Sequence, residues 1–121
     1  MKSTSYRDLE VWKKAVGLAK IIYEVTSGFP VKENHRLSGQ IQGSAVSVAA
    51  NIAEGQARHS KKEFRYFLGI SLGSLAELET LLIIASEIAY ISEPNLAELL
   101  GLTDEITRMI KGLIKRLSKT I

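Results

Sequence analysis

Two groups of cations in this chain have the spacing to hold phosphate. The first is the run Arg58-His59-Ser60-Lys61-Lys62-Glu63-Phe64-Arg65, four basic side chains within eight residues. The second is Arg108, Lys111, Lys115 and Lys119, which on a helix of 100° per residue fall within about 80° of one another. Lys and Arg set out in this way make charge-assisted hydrogen bonds to phosphate oxygens and displace the counterions of a polyanion. Tyr66 is the one ring in the turn-proximal basic stretch that falls off the apolar stripe. The chemistry open to these groups is therefore contact with a nucleic-acid backbone, tolerant of base sequence and steeply weakened by salt.

Catalytic chemistry finds less support. A di-iron site in a helical bundle needs Glu-x-x-His on two helices, and the chain contains no Glu-x-x-His. His35 and His59 flank opposite ends of one predicted helix, roughly 30 Å apart along its axis. Glu77 and Glu79 sit two residues apart and diverge by about 200° on a helix, so they are no carboxylate pair. No P-loop, dinucleotide fingerprint or nucleophile elbow occurs. The expectation is a chain with no enzymatic activity, no metal and no cofactor.

The elements that must position the cations follow from composition and period. The 121 residues predict a single domain over 1–121. With no cysteine, neither a disulfide framework nor a thiolate metal site is available, which fits a reducing cytoplasm. The opening M-K-S-T-S-Y-R-D has no apolar run that would read as a signal peptide. Leu75 to Ile91 is the most apolar segment, but Glu77, Glu79 and Glu87 interrupt it and argue against a membrane span. Abundant Leu, Ile, Ala, Glu and Lys with two prolines point to an all-α domain.

Four helices are predicted, at about 9–27, 38–57, 61–91 and 95–118. The first takes Asp8 as N-cap, ends before Gly28 and Pro30, and turns Val11, Trp12, Ala15, Val16, Leu18, Ala19, Ile22, Tyr23 and Val25 inward. The second has three faces. Leu37, Ile41, Ala45, Val48 and Ile52 form a bulky stripe; Gly39, Gly43, Val46, Ala50, Ala53 and Ala57 form a small one. Gln40, Ser44, Ser47, Asn51 and Glu54 form a polar stripe with a single charge, which suggests a covered rather than a solvated face. Two apolar faces suggest a helix sandwiched between neighbours.

Ser60-x-x-Glu63 reads as a capping box opening the third helix. The main stripe of that helix runs Phe64, Phe67, Leu68, Ser71, Leu75, Leu78, Leu82, Ala85 and Ala89. A second stripe holds Ile70, Leu81, Ile84 and Ile88, and Leu72, Ile83 and Tyr90 lie on a third. One helix of a small monomeric bundle cannot bury apolar residues all round, so the second stripe predicts a homo-oligomer. Asn95-x-x-Glu98 suggests a cap for the fourth helix, or Ser92 a slightly earlier one. That helix turns Leu96, Leu99, Leu102, Ile106, Ile110, Leu113, Ile114 and Leu117 inward.

The net charge of +3 conceals a partition. Residues 1–65 carry +5, residues 66–107 carry −7 with no Lys or Arg, and residues 108–121 carry +5 with no acid. Short loops between four helices imply an antiparallel up-down-up-down bundle. One pole then collects twelve cations, Lys2 to Lys119, against Asp8, Glu10, Glu54 and Glu63.

Three segments carry a family resemblance: A-V-S-V-A-A-N-I-A-E-G from Ala45 to Gly55, S-K-K-E-F-x-x-F-L-x-I from Ser60 to Ile70, and G-S-L-A-E-L-E from Gly73 to Glu79. With R-D-L-E-V-W at Arg7–Trp12 and G-L-I-K-R-L at Gly112–Leu117, they resemble the four-helix-bundle family of proteins encoded in 23S rRNA intervening sequences. Ala49-Ala50 departs from the Pro-Ser of many members. The resemblance implies a bacterial bundle assembled as a pentamer and brings no established activity. A similar bundle serves as the accessory protein of diversity-generating retroelements, where it binds a reverse transcriptase and nucleic acid. The matching residues are Asn51, Glu54, Gly55, Ser60, Glu63, Glu77 and Glu79, whose expected roles are capping, hairpin geometry and polar contacts between helices.

Two functions compete. One is an oligomeric scaffold binding RNA or DNA backbone through Arg58, Lys61, Lys62, Arg65, Arg108, Lys111, Lys115 and Lys119, with an RNA-associated enzyme as a further partner. The other is a protein-binding adaptor with no nucleic-acid role.

Overall fold

The computed structural model describes residues 5–119, so Lys2 of the expected basic pole lies outside the described residues. It is all-α, with helices α1 (Glu10–Thr26), α2 (Leu37–Ala57), α3 (Lys61–Glu87) and α4 (Glu93–Lys119) and no strand among the described residues. Short 3-10 turns, Tyr6–Asp8 and Val31–Glu33, precede α1 and α2. The helices pack in sequence order, α1 on α2, α2 on α3 and α3 on α4, and α1 and α4 make the slightest contact of the four neighbouring pairs.

The apolar stripes of the four helices converge. Leu18, Ile22, Ile41, Ile52, Leu68, Leu75, Leu78, Leu82, Ile106 and Ile110 are fully buried, each contributing roughly 1.5–3 kcal/mol by leaving water. Two residues expected on the inner side of α1 are outside it, Val16 at 42% and Tyr23 at 51% exposure. Both lie at the margins of the arc, where a neighbour must be close to cover them. Trp12 is half-buried against the core, with Tyr6 edge-on at 5.2 Å.

The ends of the helices correct several sequence expectations. Asp8 does not cap α1: it belongs to the preceding 3-10 turn, and Leu9 occupies the cap without a side-chain bond. Ser5 instead accepts from the Arg7 N–H at 3.1 Å and caps that turn. α3 stops at Glu87, four residues before the expected Ile91, because Ala89 takes a left-handed φ of 68°. The Tyr90 N–H then reaches back to the Ala85 carbonyl at 2.8 Å and the Ala89 N–H to that of Ser86 at 3.0 Å. This is the Schellman closure, which glycine usually provides and alanine adopts here at a steric cost. Ala89 is consequently exposed rather than part of the core stripe. Tyr90 donates its hydroxyl to Glu33 Oε2 at 2.9 Å and tilts against Phe29 at 5.2 Å, tying this end of α3 to the loop before α2. That bond to a carboxylate, reinforced by desolvation and by the charge of Glu33, raises the Tyr90 pKa above its ordinary value. Ser92, not Asn95, caps α4, accepting from the Asn95 N–H at 3.2 Å.

The polar stripe of α2 is partly covered, as its near-absence of charge suggested, and the small stripe departs from expectation. The polar stripe is turned onto α3: Ser44 is buried, Ser47 and Ser74 hydroxyls meet at 2.8 Å, and Asn51 Nδ2 donates to the Ser47 carbonyl and hydroxyl at 2.9 and 3.0 Å. Ser71 adds a hydroxyl bond to the Val48 carbonyl at 2.9 Å. The small stripe, expected to be sandwiched, is instead largely open, with Gly43, Val46, Ala50 and Ala57 exposed. Hydroxyls and small side chains let the two backbones approach, and the hydrogen bonds they make offset their desolvation.

Candidate nucleic-acid interface

The turn between α2 and α3 is built by three residues of different conformation. Arg58 closes α2, His59 takes a left-handed φ of 60°, and extended Ser60 accepts from the Glu63 N–H at 3.3 Å to start α3. The Glu63 carboxylate does not complete the expected capping box; it turns to Arg58 Nη1 at 3.5 Å. Arg58 also donates Nε and Nη2 to Glu54 Oε2 at 3.0 and 2.8 Å, and its guanidinium lies 5.0 Å from the Phe67 ring centre. At Gly55 the two helices come close. A Cβ there would stand 2.7 Å from Phe67 Cβ and 3.1 Å from Phe64 Cδ1. No side chain larger than hydrogen fits without displacing α3, which gives the motif glycine its physical role.

The turn arginines are thus largely engaged. Arg65 is half-buried and donates Nη1 to the Leu117 carbonyl at 3.3 Å, joining the first turns of α3 to the last of α4. Lys61 and Lys62 are exposed on the opening turn of α3. On α1, Lys13 pairs with Glu10 at 3.3 Å and Lys14 with Glu105 at 3.1 Å.

α4 differs. Arg108, Lys111, Lys115, Arg116 and Lys119 are all exposed, and among the described residues none has a side-chain hydrogen bond or ion pair. Arg116 lies outside the arc of the four cations read from the sequence, about 140° from Lys111 on the wheel. It faces a cleft of about 380 Å³, shared by Arg108, Met109 and Gly112 with Asp8 and Glu10 of the α1 end. Two further clefts, about 390 and 190 Å³, continue along the α1–α4 seam through Val25, Ile21, Leu102 and Lys14. Periodicity within single helices carried no signal for these.

The remaining motif residues are structural in their surroundings. Glu79 accepts from the fully buried Thr103 hydroxyl at 2.6 Å across α3 and α4, whereas Glu77 is exposed. The stripe assigned to an oligomer interface lies mostly outside: Ile70, Ile84 and Ile88 are 36%, 45% and 49% exposed, with Leu81 half-buried. Ile83, assigned to another stripe, is exposed beside them at 43%. Gly69 and Gly73 have nothing packed over them. Against the expectation drawn from Glu77, Glu79 and Glu87, α3 is long and apolar enough to cross a membrane by length and composition, with 28% of its most apolar stretch buried.

A 23S rRNA-intervening sequence protein model matches residues 7–112, including the α2–α3 hairpin with Gly55 and its Ser60 cap. The chain belongs to that family. Its fold is similar to the crystal structure of a protein of unknown function from the S23 ribosomal protein family of Bacteroides thetaiotaomicron. That similarity has a TM-score of 0.79 and 27% identity, and covers 87% of this chain and 98% of the other. No curated protein matches the chain.

Proposed function

We propose that this family member is a non-enzymatic, homo-oligomeric scaffold that binds the backbone of RNA or DNA through the basic end of an antiparallel up-down-up-down bundle. The observation that carries the reading is the row of unpaired, exposed cations on the last turns of α4. The helix directions are supported by cross-contacts that run in opposite order: Val48–Ser71 and Ser47–Ser74 between α2 and α3, Arg65–Leu117 and Glu79–Thr103 between α3 and α4.

Self-association rests on the exposed Ile70, Ile83, Ile84 and Ile88 of α3. Glu77, Glu79 and Glu87 on the same helix favour a protein cover over a lipid one. A pentamer is the number the family resemblance implies, and a ring would multiply weak phosphate contacts by avidity. The cysteine-free chain suits a reducing cytoplasm, and an RNA-associated enzyme is the partner such a scaffold would recruit.

The test is a titration against structured RNA and duplex DNA from 50 mM salt upward, with Arg58, Lys61, Lys62, Lys111 and Lys115 changed together to Gln in a second protein. Binding that falls steeply with salt and weakens in the variant is expected. No binding at 50 mM, or equal binding by the variant, gives way to the adaptor reading, which the exposed isoleucines of α3 favour. Light scattering after size exclusion should give a multiple of the 13.3 kDa chain. Ile84→Glu should remain folded and dissociate.

A further inference from the structure

Resting on the nucleic-acid reading, we infer that the ligand is a double-stranded nucleic acid lying along the outer face of α4, held by Lys111, Lys115 and Lys119, and that the two arginines of the α2–α3 hairpin, Arg58 and Arg65, are not its contacts. The arginines of the turn are compromised by their surroundings, while Lys61 and Lys62 stand exposed on the opening turn of α3. Arg58 is clamped by Glu54 and Glu63 and packed on Phe67, and Arg65 is turned inward to the Leu117 carbonyl. A phosphate approaching Arg58 would meet two carboxylates and would have to break an existing pair. The cleft side of α4 is unfavourable for a similar reason, because Asp8 and Glu10 form its opposite wall. Arg108 and Arg116 line that cleft, whereas the outer face of α4 carries the exposed Lys111, Lys115 and Lys119. There, steps of four residues place the three lysines about 6 Å apart along an axis of about 12 Å.

The strandedness follows from what this face lacks. Residues 93–119 contain no Phe, Tyr or Trp. Binding of single strands gains much of its strength from bases stacked on aromatic rings, and α4 offers none. A duplex needs no such platform. It presents phosphates in a fixed array, at about one charge per 1.7 Å of axis, and releases about 0.9 counterion per contact against about 0.7 for a single strand. A straight row of cations on a rigid helix therefore discriminates in favour of the duplex by charge density and order alone.

The experiment compares three probes of equal length, duplex DNA, duplex RNA and oligo-dT, with the full-length protein and two variants of it. Helical content and oligomer size are checked for each variant. Lys111→Gln/Lys115→Gln/Lys119→Gln should weaken duplex binding at least about tenfold and flatten the salt dependence by about 0.9 in slope for each lost phosphate contact. Arg58→Gln should bind within about twofold of the native protein with the same slope. Oligo-dT should bind at least about tenfold more weakly than either duplex. If binding is lost in Arg58→Gln and kept in the α4 variant, the assignment to α4 is overturned while the nucleic-acid reading stands. If oligo-dT binds as tightly as the duplexes, the strandedness is overturned. If no probe binds the native protein, both this inference and the proposed function fall.

Discussion

The two seams either side of this domain are built to opposite specifications. Between α2 and α3 the backbones approach until Gly55 leaves no room for a Cβ, and serine hydroxyls and Asn51 satisfy one another in the gap. Between α1 and α4 the helices stand apart, clefts run along the join, and among the described residues one ion pair, Lys14–Glu105 at 3.1 Å, crosses it. The close seam tolerates no change of volume, because interiors packed to crystal density have nowhere to put an added carbon. The open seam has space in reserve. Asn51, Glu54, Gly55, Ser60 and Glu63 of the family motif lie at the close seam or its turn, where geometry explains them before any ligand is invoked, whereas Glu79 bonds Thr103 across α3 and α4 and Glu77 is exposed.

The sharpest way to break this contrast is to add one methyl group to each seam. Gly55→Ala should destabilise by about 1–3 kcal/mol through overpacking, read as a loss of melting temperature and of the denaturation midpoint. An unchanged midpoint would mean that the α2–α3 approach is looser than described. Ser60→Ala removes the cap that starts α3 after the close turn and should cost about 1 kcal/mol; no loss would place the start of α3 elsewhere. Gly17→Ala, on the open seam with nothing within 4 Å of its new Cβ, should instead stabilise by up to about 1 kcal/mol through helix propensity. Destabilisation there would show the α1–α4 seam closed in solution.

Smaller effects belong to the charged links. Glu105→Gln should cost less than about 1 kcal/mol, since its ion pair with Lys14 is over two-fifths exposed at each partner and is screened by water. A larger loss would make that pair the latch of the open seam. Tyr90–Glu33 adds a pH dependence. The folded-state pKa of Tyr90 lies above its ordinary value, so the folded state holds that proton more tightly than the unfolded chain. The contribution is complete below the ordinary tyrosine value of about 10 and is lost as pH rises through the raised folded one. The melting-temperature gap between the native protein and Tyr90→Phe should therefore close on the alkaline side. A gap constant from pH 8 to 11 would remove the bond from the account.

Helix positions were legible in the sequence wherever a local signal decided them. Ser60 before Lys-Lys-Glu marks the start of α3, Gly28 and Pro30 mark the end of α1, and the repeat of Leu and Ile at three- and four-residue steps picks out the core of α4. These features act within one turn of helix, so the order of residues determines them. The cationic row on α4 was legible for the same reason. The end of α3 was not, because Ala89 adopts a left-handed conformation that alanine disfavours and that the Tyr90 contacts with Glu33 and Phe29 help to hold. Tertiary structure alone decided which stripe of α2 faces α3. The nearly uncharged polar stripe of α2 was legible as a covered face, but only the packing showed that α3 covers it, through the Ser47–Ser74 hydroxyl pair, and that Val46 and Ala50 stay exposed. It also decided which cations are free: Arg58 and Lys111 are alike as letters in a sequence, and only the packing of Glu54, Glu63 and Phe67 around Arg58 distinguishes them.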